Sequence, residues 1–307
     1  MPHIDAKGVY VIAPTPFKPD FSIDDSSIDR MTDFFVNAGV DGMTVLGQLG
    51  EAPKMTHEES VGIVKRVIAR TRLPIVVGVS APGFAAMRAL TQDVMALGAS
   101  GVMIAPPNTL RTDDSIAQYY KQASEAIGTD VPFVIQDYPL TFSVQMTPAV
   151  IKRIHTENAA CWFLKHEDWP GLDKISQLRA WEKDGSLRRL SILTGNNALF
   201  LDFEMERGAD GANTGYCFPD MLVDVVRLSR AGKRDEAHDL FDAHLPLIRY
   251  EQQPGPGMAV RKYVLMRRGI IASDTLRKPG AALSPTARAE VDYLLSRLSQ
   301  KDPRAKV

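Results

Sequence analysis

The 307 residues carry 36 basic against 37 acidic side chains, 45% apolar and 24% charged residues, and a formal net charge of -1. That length suits one α/β barrel as well as two average domains, and the charge balance lacks the basic footprint that nucleic acid or an anionic membrane demands. Two cysteines, Cys161 and Cys217, sit far apart inside apolar segments, which argues against a disulfide framework or a zinc site and fits a reducing cytosol.

No apolar run approaches the ~20 residues that span a bilayer, and the first residues lack a basic stretch followed by an apolar core. The expectation is a cytoplasmic protein with no membrane contact.

Short β-branched runs alternate with longer amphipathic ones at roughly 30-residue spacing, the pattern of repeated βα units. The predicted strands are Gly8 to Pro14, Gly42 to Leu46, Pro74 to Val79, Gly101 to Ala105, Pro132 to Asp137, Cys161 to Lys165, Leu190 to Thr194 and Gly211 to Thr214. Helical stretches such as Ser27 to Ala38, Thr56 to Arg70, Phe84 to Leu97, Asp114 to Ile127 and Thr147 to Ile154 lie between them. Asp24, Thr56, Thr112 and Thr147 read as N-caps, and Glu59 completes a capping box with Thr56. Gly39, Gly98 and Gly208 read as the ends of helices that turn back into the sheet.

Pro74-Ile75-Val76-Val77-Gly78-Val79 is continuously apolar rather than alternating, so the sheet is expected to be parallel and covered by helices. No Gly-x-Gly-x-x-Gly follows the first strand and no phosphate-binding Gly-Lys-Ser or Gly-Lys-Thr is present, which weakens an open nucleotide-binding sheet. After the eighth strand the pattern is helical alone: Pro219 to Arg230, Arg234 to Tyr250, Gly257 to Arg268 and Ser284 to Leu298, with Gln252 to Gly257 as a turn. The fold expected is a (β/α)8 TIM barrel over residues 1–231 with a C-terminal helical extension over 232–307.

Catalytic groups of such a barrel come from the C-terminal tips of its strands and the loops that follow. Lys165 leaves the sixth strand after Trp162, Phe163 and Leu164, an apolar setting that favours the uncharged amine, able to attack a ketone. The plainer alternative is a lysine snorkelling to water from a strand end. Gly47-Gln48-Leu49-Gly50-Glu51 forms a short turn whose backbone N–H groups can cradle a carboxylate, although a tight βα turn needs glycine in any case. Gln136 and Tyr138 are two apart and share a side of the fifth strand; a phenol can relay a proton, an amide cannot, and the two can also simply satisfy each other. His166-Glu167-Asp168 matches no metal-ligand spacing, so no metal is expected. His3, His57, His155, His238 and His244 read as surface or helix-end residues.

At these residues the chain resembles the dihydrodipicolinate synthase and N-acetylneuraminate lyase family, Schiff-base aldolases on an eightfold barrel with a C-terminal helical domain. The likeness runs from Val11-Ile12-Ala13-Pro14-Thr15-Pro16-Phe17 to Ala272-Ser273-Asp274-Thr275-Leu276-Arg277-Lys278-Pro279. It implies that Lys165 forms the Schiff base and that Gly47-x-x-Gly50-Glu51 holds the substrate carboxylate. Gly195 and Gly208-Ala209-Asp210-Gly211 match the glycines of strands 7 and 8.

Several positions depart from the pattern. Gln48 and Leu49 replace two threonines, Gln136 stands at the catalytic tyrosine's place, Thr141 replaces an arginine for a distal carboxylate, and Asn108 takes the place of a second relay tyrosine. The Gln-Asp-x-Pro and Lys-x-Glu tips are more similar to the branch containing L-2-keto-3-deoxyarabonate dehydratase. The resemblance therefore implies a cofactor-free lyase acting on a small-molecule 2-oxo acid, foremost by dehydrating a 2-keto-3-deoxy sugar acid. Lys165, Gln136 and Tyr138 are its expected catalytic residues. Gly47, Gln48, Leu49, Gly50, Glu51, Thr141, Gly195 and Asn213 are its expected substrate contacts, with water, Tyr138 or Glu167 as base. A pyruvate-dependent aldolase is the alternative, and a barrel that binds a 2-oxo acid without turnover is the reading from another class. A homo-oligomer, dimer or tetramer, is implied as well.

Overall fold

The computed structural model describes residues 5–169 and 171–307. Eight parallel strands follow one another around a closed barrel: β1 (Gly8–Ile12), β2 (Gly42–Val45), β3 (Ile75–Gly78), β4 (Gly101–Ile104), β5 (Phe133–Asp137), β6 (Cys161–His166), β7 (Ser191–Thr194) and β8 (Gly211–Thr214). Pairing of β8 back onto β1 leaves no open sheet edge. Each predicted strand is present, with ends shifted by at most two residues.

The covering helices are α1 (Asp25–Asn37), α2 (His57–Arg70), α3 (Phe84–Ala96), α4 (Asp113–Ile127), the short α5 (Pro139–Phe142), α6 (Pro148–Glu157), α7 (Leu172–Lys183), α8 (Leu201–Glu206) and α9 (Pro219–Arg230). Their starts are chemically marked. Asp24, Thr112 and Thr147 accept hydrogen bonds from the N–H groups of Ser27, Ser115 and Val150, and Thr56 and Glu59 make the reciprocal box. Gly98 and Gly208, at φ 102° and 94°, turn the chain from helix toward strand in the left-handed region that glycine enters without a Cβ penalty.

Outward-facing strand residues such as Val9, Val11, Met43, Val45, Ile75, Val77, Ile135 and Leu164 pack against the helices. Inside the barrel, Tyr10, Val76, Met103, Val134, Phe163 and Leu193 form a separate buried cluster that fills the axis below the mouth. Burial of each large side chain is worth about 1.5–3 kcal/mol, so this plug is a rigid floor rather than a pore.

An irregularity in β6 decides which way its tip faces. Phe133 pairs with Cys161 but Val134 with Phe163, so Trp162 is an extra residue on the β6 side. Strict alternation from the outward Cys161 would also turn Phe163 and Lys165 outward. The bulge reverses the parity: Phe163 joins the inner cluster, Leu164 the outer one, and Lys165 faces the axis.

Three further helices, α10 (Arg234–Glu251), α11 (Gly257–Arg267) and α12 (Pro285–Leu298), lie on the barrel. Phe241, Leu247, Ile248, Val260, Val264, Val291 and Leu295 from these helices belong to the same core as the barrel's outer face. Two histidines correct the surface reading. His155 is buried against the Arg189 carbonyl, and His244 bridges Tyr216 Oη and Asp302 Oδ2 at 2.9 Å each. Both sit on the apolar stripes of their helices, where tertiary packing and not helix position decides exposure. His3 lies outside the described residues. No helix among the described residues is long and apolar enough to cross a membrane.

Candidate active site

A cavity of about 660 Å³ opens at the C-terminal ends of the strands. Its floor is set by sheet register: β5 and β6 pair Gln136 with Lys165, and β7 pairs Leu193 with Lys165, so Gln136 and Lys165 stand side by side on the inner face. Both are at least nine-tenths buried. Tyr138, Thr141, Gln48 and Leu49 also line the cavity.

Glu167 completes the centre. Its Oε2 lies 3.0 Å from Lys165 Nζ and accepts a hydrogen bond from Gln136 Nε2 at 2.9 Å, while Oε1 accepts from the Asn196 N–H at 3.2 Å. Gly195 makes this possible: a Cβ there would stand 2.4 Å from Glu167 Cγ and 2.5 Å from Oε1. The loop that carries Glu167 is clamped from outside the barrel, where Lys174 Nζ lies 2.7 Å from both Asp137 Oδ2 and Asp168 Oδ2. Such a buried pair holds geometry more than it adds stability. Burial, and secondarily the Glu167 charge, raises the Tyr138 phenol above its usual range, which keeps it protonated at neutral pH.

The turn after β2 lies at another edge of the cavity. Gly50 O accepts from Thr15 Oγ1 at 2.7 Å and Gln48 O from the Glu51 N–H at 3.0 Å. Among the described residues, no protein group accepts from the N–H groups of Gln48 and Leu49. The turn is bracketed by two non-glycine residues in left-handed conformation, Leu46 and Glu51, both at φ 56°. Each costs on the order of 1–2 kcal/mol, so the surroundings must impose them.

Three groups of expected contacts stand back from the cavity wall. Glu51 does not line the cavity; its left-handed backbone turns the carboxylate into the protein, where it meets Lys262, Lys54 and the Arg277 N–H. Asn213 lies a layer too deep, its Nδ2 donating to Tyr10 O at 3.0 Å and Thr44 Oγ1 at 2.9 Å, and Thr214 and Gly215 line the mouth beside it. Gly47, Gly50 and Gly195 support the lining residues without belonging to the wall.

The sequence reading missed the far wall. Arg249, Glu251, Gln252, Gln253, Met258 and Arg261 from α10, α11 and the turn between them line the same cavity. Arg261 pairs with Glu251 and donates to Asn197 Oδ1 at 2.6 Å; Gln252 donates to Asn196 Oδ1. Asn196, Asn197 and Ala198 all have positive φ, at 48°, 57° and 62°, and these contacts hold that strained run where the Asn196 N–H reaches Glu167. The paired asparagines after β7 were the visible hint. Among the described residues no group of three potential ligands could hold a metal ion.

The sequence model of the dihydrodipicolinate synthetase family matches residues 5–298. The chain is 29% identical over 298 residues to L-2-keto-3-deoxyarabonate dehydratase from Azospirillum brasilense, covering 95% of this chain and 94% of that one. It is also 29% identical over 294 residues to 4-hydroxy-tetrahydrodipicolinate synthase from Chlorobium luteolum, covering 93% and 95%. A crystal structure of dihydrodipicolinate synthase from Rhodopseudomonas palustris superposes with a TM-score of 0.94 at 65% identity, covering 95% of this chain and 97% of that one. With barrel, match length and relatives in agreement, the chain belongs to the dihydrodipicolinate synthetase family and is an enzyme of the lyase class.

Proposed function

We propose that this lyase dehydrates a 2-keto-3-deoxy sugar acid through a Schiff base on Lys165. The observation that carries the reading is the Glu167 carboxylate, 3.0 Å from Lys165 Nζ and anchored by Gln136. Proton transfer along that contact delivers a neutral amine. Lys165 Nζ then bonds to C2 of the 2-oxo acid; the carbonyl oxygen takes one proton from the amine and the one held by Glu167 and leaves as water, so that an iminium forms beside the regenerated carboxylate. C3 lies one bond beyond C2, within reach of the same carboxylate.

The iminium acidifies C3. Glu167 takes a C3 proton, the electron pair forms the enamine, and its collapse expels the C4 hydroxyl, which leaves as water with the Tyr138 proton. Water then hydrolyses the conjugated iminium, freeing Lys165 and an unsaturated 2-oxo acid; the proton held by Glu167 restores Tyr138 through solvent. The free N–H groups of Gln48 and Leu49 suit the C1 carboxylate, and Thr141 with the Arg249, Gln252 and Arg261 wall suits a hydroxylated chain longer than pyruvate.

Retro-aldol cleavage would instead need a base at the C4 hydroxyl. The amide of Gln136 stands where the resemblance expects the tyrosine for that step, and an amide moves no proton. Tyr138 favours the aldolase as a second reading, since its phenol lines the same cavity. The test is borohydride trapping with pyruvate and with keto-deoxy acids, followed by product analysis. An adduct on Lys165 and an unsaturated product are expected; pyruvate release would shift the assignment to the aldolase, and no adduct would remove the Schiff base altogether.

Gly195→Ala probes the base without touching a reacting group. Its Cβ would displace the Glu167 side chain, and a misplacement of about 1 Å can cost on the order of 100-fold in turnover. The expected result is a 10- to 100-fold fall in kcat with pyruvate trapping retained; unchanged kcat would mean that Glu167 is not the base.

A further inference from the structure

The buried cation next to Glu51 has no part in the chemistry above. Lys262, on α11, is wholly buried; its Nζ donates to Glu51 Oε1 at 2.5 Å and to Thr275 O at 2.9 Å, and lies 4.5 Å from the centre of the Phe17 ring. The second Glu51 oxygen accepts from Lys54 Nζ at 2.8 Å and from the Arg277 N–H at 3.1 Å. Lys54 Nζ also donates to Arg277 O at 2.8 Å, and the Arg277 guanidinium reaches Glu59 at 2.6 and 2.7 Å. One carboxylate thus ties together the turn after β2, the single helical turn at 52–54, helix α11 and residue 277, and Arg277 extends the tie to Glu59 on α2.

Glu51 is the left-handed residue that closes the turn whose Gln48 and Leu49 N–H groups have no acceptor among the described residues. A non-glycine residue keeps that conformation only where its surroundings over-determine it. Removal of the Lys262 charge would leave a fully buried carboxylate short of a partner, and the cheapest relief is for Glu51 to swing out and take the turn with it.

Resting on the Schiff-base reading above, we propose that Lys262 is a positioning residue: through Glu51 it locks the turn in the shape that receives the 2-oxo acid carboxylate. The C-terminal helices therefore set affinity for one end of the substrate from a site that never touches it. If Lys262 is lost and the turn is competent only a tenth of the time, half-saturation by a carboxylate ligand rises about tenfold.

The experiment titrates borohydride trapping of wild type and Lys262→Met with two ketones, pyruvate and acetone, the second lacking the carboxylate. Expected is a rise of about tenfold in half-saturating pyruvate, an unchanged maximal adduct, and an acetone half-saturation within twofold of wild type. A merely structural lysine would weaken both ketones in parallel or neither, and either result overturns the proposal. Glu51→Gln, which keeps the shape but removes the charge, supplies the same comparison should Lys262→Met not fold. Wild type that traps neither ketone would sink the Schiff-base reading and this inference with it, whereas wild type trapping with no pyruvate-specific shift in the variant would sink the inference alone.

Discussion

Lys165→Met is expected to abolish covalent capture of 2-oxo acids and to lower turnover by about 10⁴-fold or more, the scale on which loss of a covalent nucleophile is felt. Methionine matches the length and apolar stem of the lysine, so the barrel floor of Phe163, Val134 and Met103 keeps its packing. What disappears is the amine, and with it the route by which the C2 carbonyl becomes an electron sink. Glu167 retains Gln136 Nε2 and the Asn196 N–H as partners, which limits the penalty of leaving its charge buried. Lys165→Arg separates the two roles of the side chain. It restores a cation beside Glu167 but not a nucleophile, because the guanidinium stays protonated. Intact mass spectrometry after borohydride reduction should find no adduct on either variant, with near-wild-type circular dichroism. An adduct that survives in Lys165→Met would place the reactive amine elsewhere.

Much of this site is legible in the sequence because barrel tips are local. A strand of apolar residues that stops at Lys165 or Gln136 declares its own end, and the helix that follows declares its start through Thr56, Thr112 or Thr147. Direction was harder. Lys165 points inward only because β6 carries one residue more than its β5 neighbour at Trp162, and that surplus exists in the pairing of two strands, not in either strand alone. The direction of Glu51 was hidden for a related reason: the residue after Gly47-x-x-Gly50 looks aimed into the cavity until its φ of 56° is known. The far wall was beyond reach in principle. Nothing near Glu251 or Arg261 signals that their helices meet the segment after β7 and line the cavity, so their part in it follows from tertiary packing alone.

Those contacts give the second large expectation its sharpness. Glu167→Gln should lower kcat by roughly 10³-fold, within the range for loss of a general base, while pyruvate trapping on Lys165 reaches the same final yield more slowly, because solvent must then take the ammonium proton that Glu167 takes in wild type. The amide keeps the side chain's size and can still meet Gln136 and Asn196, so the two variants of the pair diverge: one loses the adduct, the other forms it and stalls. A direct readout needs no sugar acid. In deuterated water, wild type should exchange the pyruvate methyl hydrogens, because Lys165 makes the iminium and Glu167 removes the C3 proton; Glu167→Gln should exchange slower by the same roughly 10³ factor. Tyr138→Phe serves as the internal comparison. Its phenol stands in the same cavity but is assigned to the departing hydroxyl, so exchange should continue while dehydration falls. If the pattern inverts, with Tyr138→Phe stopping exchange and Glu167→Gln leaving it intact, the phenol is the C3 base and the Glu167 carboxylate serves only to orient Lys165, an arrangement that would remove the argument for dehydration over carbon–carbon cleavage.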